Sequence, residues 1–314
     1  MDIDVPVIDA TDLASAKTLR AIDAACREWG FFQITGHGID DRIVTALRRE
    51  MRAFFAQPLA AKREVVRSAA NPWGFYDQEL TQRTRDWKEI YDYGPASGDA
   101  MVPQWPVRLT SFKPAVEAFY SACDTVAIEL LHAIAQNLGM PAAALDRFFR
   151  PEHTSFLRLN HYPKCPTPAQ PLDAGAATDG YLGVNPHTDA GVLTLLLQDE
   201  QPGLEVLHDG TWYPIEPRAD ALVVNIGDIV QVWSNDQYVA ALHRGRANAE
   251  AARFSAPFFF NPVYSAEYAP LPSTVDAAHP PRYRPINWGE FRRRRAAGDY
   301  ADQGEYASIR NYSR

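Results

Sequence analysis

The chain has 314 residues, 46% of them hydrophobic and 22% charged, with a formal net charge of −8 at pH 7. That length suits one core with a helical flank, able to bury about three quarters of the unfolded chain's surface. The acidic balance argues against a general binder of nucleic acid or anionic membranes, and the three cysteines, Cys26, Cys123 and Cys165, lack the spacing of a disulfide framework or zinc knuckle.

Met1-Asp2-Ile3-Asp4 is acidic where a secretory signal is basic, and no uninterrupted apolar run reaches membrane length, so a cytoplasmic protein without membrane partners is expected. Leu19, Ile22, Cys26 and Trp29 form a helical stripe ending at Gly30, and Ile43, Leu47, Met51 and Phe54 form another after Asp40. Both read as core packing. Aromatic clusters follow in Trp73-Gly74-Phe75-Tyr76 and Trp87 to Tyr93, with core and ligand-lining roles equally open. The stripe Val116, Phe119, Cys123, Val126, Leu130, Ile134 and Leu138, with Gly139 behind it, predicts a long helix supporting the sheets.

From about Ser155 to Phe260 the pattern turns to strands. Across Ser155–Pro163 one face carries Phe156, Arg158, Asn160 and Tyr162, and the other carries Ser155, Leu157, Leu159 and His161. The leucines want a core, so the polar face looks into a wet space. A Pro-, Gly- and Ala-rich loop spans 166–182 and reads as a lid over whatever His187 serves, a surface insertion being the alternative. Gly183–Pro186 reads as a structural break, which places His187 and Asp189 at the mouth of the apolar strand Val192–Leu197, on one face. Asp209-Gly210 marks a hairpin, and His243 ends a second strand-like run, Tyr238–Leu242. Two imidazoles and one carboxylate form the ligand set that holds non-haem Fe(II) on one face and leaves other positions open for chemistry. Ten residues on, Arg253, Ser255 and Phe259 share a strand face, and an arginine fork beside a serine suits a bidentate carboxylate. Arg292 to Arg295 reads as a solvated face of a C-terminal helix.

Asn160-x-Tyr162-Pro163-x-Cys165, His187-x-Asp189, Asn225-x-Gly227-Asp228, His243-Arg244 and Arg253-x-Ser255 occur in that order, behind an opening of Val5–Asp9, Ala25–Phe32 and His37-Gly38-Ile39. In these motifs the chain resembles the isopenicillin N synthase-like family of Fe(II)- and 2-oxoglutarate-dependent dioxygenases. The resemblance implies a mainly β fold with flanking α elements: a double-stranded β-helix, the cupin-like jelly-roll, behind an N-terminal helical segment. It implies one structural unit composed of an N-terminal α/β segment (1–110), backbone helices (111–152), the jelly-roll core (153–265) and a C-terminal helical tail (266–314). Iron would be held by His187, Asp189 and His243, and 2-oxoglutarate by Arg253, Ser255, Tyr162 and Asn160. With O2 as second cosubstrate and ascorbate as a reductant, a small metabolite would be hydroxylated, desaturated or cyclised with release of succinate and CO2.

Arg158, Phe259, Phe75, Tyr76 and Tyr93 are the candidate contacts to that metabolite. Arg158 would ask for an anionic group, with an internal Asp or Glu pair as its alternative, and the aromatic residues for an aromatic one. A monomer is expected. Rival readings are an oxidase on the same scaffold that needs no 2-oxoglutarate, a zinc hydrolase, which lacks an H-E-x-x-H motif here, and a non-catalytic small-molecule binder.

Overall fold

The computed structural model describes residues 4–98, 101–169, 180–300 and 307–314, without the side chains of 297–300. The chain opens with strand β1 (Val7–Asp9), helix α1 (Ala16–Glu28), β2 (Phe31–Thr35), α2 (Asp41–Phe55) and α3 (Leu59–Arg63). Short strands β3 (Gly74–Tyr76), β4 (Leu80–Thr81), β5 (Thr84–Arg85) and β6 (Glu89–Tyr93) precede the long helix α4 (Phe112–Asn137). Then come β7 (Phe156–Tyr162), β8 (Leu182–His187), β9 (Leu193–Gln198), β10 (Leu204–His208), β11 (Thr211–Pro214), β12 (Ala221–Ile226), α5 (Asp228–Trp233), β13 (His243–Arg246) and β14 (Arg253–Phe260). Helix α6 (Trp288–Tyr300) lies near the C-terminus.

Side-chain caps set the helix starts. Ser15 accepts from the Thr18 amide at 3.2 Å and Asp40 from the Arg42 amide at 2.7 Å, satisfying donors that the first turn leaves unpaired. Helix α1 stops at Trp29; Gly30 follows at φ +63, where a Cβ would sit 1.9 Å from the Val239 carbonyl oxygen, so only glycine fits. All seven residues of the stripe Val116–Leu138 are buried, each large side chain contributing roughly 1.5–3 kcal/mol. Helix α4 has the length and mean apolarity of a membrane span, although Glu117, Asp124 and Glu129 interrupt its apolar run as read; it is a core helix, packed on α1, α2 and the sheet.

Two sheets face each other. The larger runs β1-β2-β12-β9-β14-β7-β6-β3 and the smaller β11-β10-β13-β8, all neighbours antiparallel except β1 with β2. This is the jelly-roll architecture expected from the motifs. Strands from the first third of the chain extend both ends of the larger sheet. The Asp209-Gly210 hairpin forms as read, both residues at positive φ.

Two strand assignments differ. Gly183–Pro186, read as a break, lies within Leu182–His187, the outermost strand of the smaller sheet, where Pro186 removes no needed ladder bond. Tyr238–Leu242 is not a strand: the Val239 amide donates to the Cys26 carbonyl and the Ala240 amide to Gln231 Oε1, and the strand begins at His243 itself.

Candidate metal centre and active site

His187 ends β8 and His243 opens β13, and the register sets the two residues directly opposite each other, with ring centroids 4.2 Å apart. Asp189 stands in the turn from β8 to β9, so the turn, rather than the pleat of one strand, brings it to the histidines. Its Oδ1 lies 3.6 Å from His187 Nε2 and 3.8 Å from His243 Nε2, and one ligand atom from each of the three residues lies within 4.8 Å of the others.

The surroundings fix which atoms face the centre. His187 Nδ1 donates to the Asn185 carbonyl at 2.8 Å and His243 Nδ1 to the Ala241 carbonyl at 3.1 Å. A carbonyl only accepts, so each ring carries its proton on Nδ1 and offers the Nε2 lone pair. Burial and the neighbouring His243 push the His187 pKa down to about 3, which keeps the ring neutral and available as a ligand. Asp189 Oδ2 accepts from Thr194 Oγ1 at 2.5 Å and Asn225 Nδ2 at 2.7 Å, leaving Oδ1 free to ligate. Burial works to raise the Asp189 pKa, but attraction to His243 and His187 in their protonated forms, together with these hydrogen bonds, outweighs it and holds the group below its ordinary value. Two imidazoles and a carboxylate, each oriented by a second hydrogen bond, fit the facial Fe(II) site.

The cavity in front of the triad, with its mouth, spans about 1180 Å³. Its floor is the larger sheet: Phe156, Arg158, Asn160 and Tyr162 of β7 and Arg253, Ser255, Pro257 and Phe259 of β14 all line it, so both alternations place their faces as read. In register, Arg253 stands opposite Tyr162 and Ser255 opposite Asn160. Asn160 Nδ2 donates to Ser255 Oγ at 3.2 Å, and Tyr162 Oη lies 3.5 Å from the same oxygen. The Arg253 guanidinium, 3% exposed as a residue, donates to Gln198 Oε1 at 2.9 Å and the Gln201 carbonyl at 3.3 Å and lies over the Tyr162 ring.

The proposed substrate contacts fare differently. Phe259 lines the cavity, stacked on Phe156 at 4.7 Å. Phe75 and Tyr93 are instead packed in the core around Phe54, Trp105 and Tyr120, and Tyr76 lies under Arg67; none of the three lines the cavity. Aromatic side chains carry the most apolar area, and here the helix-flanked core takes it. Arg158 reaches the cavity wall, yet its fork is met bidentately by Asp92 at 2.7 and 2.8 Å and by Glu79 at 2.8 Å. It needs no ligand anion, which corrects its assignment as a substrate cation. Arg158→Gln should therefore lower stability by about 3 kcal/mol, because buried Asp92 and Glu79 would be left to share the cation Arg67, read by chemical denaturation, and damage both Michaelis constants alike.

Arg292 and Arg295, read as a solvated face, line the cavity as well. Trp288, Phe291, Arg292 and Arg295 fall at helical spacing i, i+3, i+4 and i+7, the stripe of a core-facing helix, while Arg293 and Arg294 are exposed. That spacing was the available signal. The lid reading of 166–182 falls largely on residues 170–179, which lie outside the described residues.

Comparison with known proteins agrees with this geometry. A family model described as the 2OG-Fe(II) oxygenase superfamily matches residues 153–262, and one described as the N-terminal region of non-haem dioxygenase in morphine synthesis matches residues 5–112. Jasmonate-induced oxygenase 1 of Arabidopsis thaliana is 33% identical over 300 residues, covering 93% of this chain and 72% of that protein. Gibberellin 20 oxidase 3 of Oryza sativa subsp. japonica is 36% identical over 308 residues, covering 92% and 81%. Among solved structures, JOX2 in complex with 2OG, Fe and JA superposes with a TM-score of 0.84 at 28% identity, over 99% of this chain and 90% of that one. The dioxygenase for auxin oxidation in rice gives 0.76 at 25% identity, over 99% and 100%. With the His187, Asp189 and His243 triad assembled on a jelly-roll, the chain belongs to the 2OG-Fe(II) oxygenase superfamily and is an Fe(II)- and 2-oxoglutarate-dependent dioxygenase acting on a small organic molecule.

Proposed function

We propose that Arg253, Ser255, Asn160 and Tyr162 seat the distal carboxylate of 2-oxoglutarate, and that the prime substrate is a small anion with an apolar or aromatic body, received by Arg292 and the Phe156–Phe259 stack. One observation carries this reading. Six lysine and arginine side chains line the cavity, and four are neutralised by carboxylates: Lys88 by Asp86, Arg158 by Asp92 and Glu79, Arg244 by Glu205, and Arg295 by Asp228. Arg253 and Arg292 have no carboxylate within salt-bridge distance among the described residues; Arg292 rests on the Phe156 ring at 5.0 Å and the Trp288 ring at 5.8 Å. A charge left unpaired in a partly buried wall is costly unless a ligand meets it. Two such cations call for two anions, one from the cosubstrate and one from the substrate.

Bound Fe(II) supplies the redox chemistry that couples oxidative decarboxylation of 2-oxoglutarate to oxidation of the substrate. The protein's own work is positional. Arg253 and Ser255 orient the cosubstrate from the β14 side, Asn225 and Thr194 hold one oxygen of Asp189 away from the centre, and Leu196, Leu204, Val184 and Phe31 exclude water around the ligands. We take the enzyme to act as a monomer in a reducing compartment such as the cytosol, which its three buried free thiols suit.

A panel of organic carboxylates and their neutral amides, scored by succinate release and product mass, tests the substrate class. Acids should turn over and their amides should not; equal turnover of both would remove the anionic reading. With a substrate in hand, Arg292→Gln should weaken its binding about ten-fold or more while the 2-oxoglutarate KM stays constant.

A further inference from the structure

We infer that Arg295 is a positioning residue for the metal centre: its guanidinium clasps the turn between His187 and Asp189, so that metal retention depends on the C-terminal helix. Thr188 separates the two ligands, and the turn it occupies has no strand ladder of its own. Arg295 Nη2 donates to the Thr188 carbonyl at 2.6 Å and to its hydroxyl at 3.2 Å. Nη1 of the same fork donates to Asp228 Oδ2 at 3.0 Å and to the Ala307 carbonyl at 3.0 Å. Asp228 closes the circuit, its backbone amide donating to the Asp189 carbonyl at 2.8 Å.

The contact behind the turn is equally tight. A Cβ on Gly227 would lie 2.3 Å from the Gly191 carbonyl oxygen and 2.9 Å from that of Asp189, so the first turn of α5 rests directly on the ligand turn. One planar cation therefore ties together helix α6, the residue between the ligands, and the acid whose amide holds the third side of the loop.

Anchoring α6 does not need this charge. Trp288 and Phe291 are fully buried, and Trp288 Nε1 donates to Thr154 Oγ1 at 2.9 Å. Burying a guanidinium is expensive, and Arg295 spends its fork on the ligand turn and Asp228. The hydrogen bonds that orient His187, His243 and Asp189 involve Asn185, Ala241, Thr194 and Asn225, and none of them grips Thr188. Arg295 supplies a restraint the others do not.

The test is metal affinity measured without 2-oxoglutarate or substrate, so that it stands apart from the proposed ligand contacts. Co(II), a redox-stable stand-in for Fe(II), is titrated into the metal-free full chain and followed by its visible d–d bands, with chelator competition for the Kd. Arg295→Gln should bind Co(II) about 10- to 100-fold more weakly and shift the bands, as loss of a group that orients ligands does. Thr188→Val, which removes only the hydroxyl, and Asp228→Asn should each weaken binding less but measurably. A folded Arg295→Gln protein with wild-type affinity and bands would overturn the assignment. Should that variant not fold, wild-type affinity in both Thr188→Val and Asp228→Asn would overturn it, and weakened affinity in either would support it.

Discussion

Replacing His187, Asp189 or His243 by alanine should abolish turnover and most iron affinity while leaving the fold in place. Each supplies one ligand atom to a site with no spare protein donor among the described residues. The two histidines sit at strand ends, paired across β8 and β13, so their removal spares the sheet cores. Asp189→Ala carries an added cost: the Thr194 hydroxyl and the Asn225 amide lose their acceptor in a buried setting, at about 1–3 kcal/mol each. The alanine variants should therefore differ in denaturation midpoint, with Asp189→Ala lowest, yet agree in losing iron. Full iron occupancy with turnover in His243→Ala would sink the assignment.

Arg253→Lys should raise the 2-oxoglutarate KM about ten- to a hundred-fold. Charged hydrogen bonds are worth roughly 1.5–3 kcal/mol, and each ~1.4 kcal/mol is a factor of ten. A lysine ammonium can keep a contact with Gln198 Oε1 or the Gln201 carbonyl, but it cannot span those partners and a carboxylate beside Ser255 at once. Steady-state kinetics with 2-oxoglutarate varied reads the effect. An unchanged KM would make Arg253 a purely structural residue.

Period-two patterns made the site floor legible. On β7 and β14 the strand pleat alone sorts cavity residues from core residues, and both runs obey it. The triad was legible as a ligand set, but its geometry arises otherwise than the pleat suggests, because Asp189 stands in a turn and His187 ends an edge strand containing Pro186. Edge position is a property of the assembled sheet, invisible in a local pattern that reads proline as a break. Phe75, Tyr76 and Tyr93 were misplaced because aromatic clustering signals burial without saying against which element. Arg158 was separable from Arg292 only once Asp92 and Glu79, distant in sequence, were seen on its fork. The arginine run misled in the opposite direction: four charges in a row suggest solvent, while the Trp288–Phe291 stripe they continue faces the protein.

Oxygen uptake by the iron-loaded protein with a turned-over substrate, measured with and without 2-oxoglutarate, tests the central claim most directly. Uptake should require 2-oxoglutarate and yield one succinate per O2 consumed. Undiminished uptake without 2-oxoglutarate would contradict the account and return the scaffold to an oxidase.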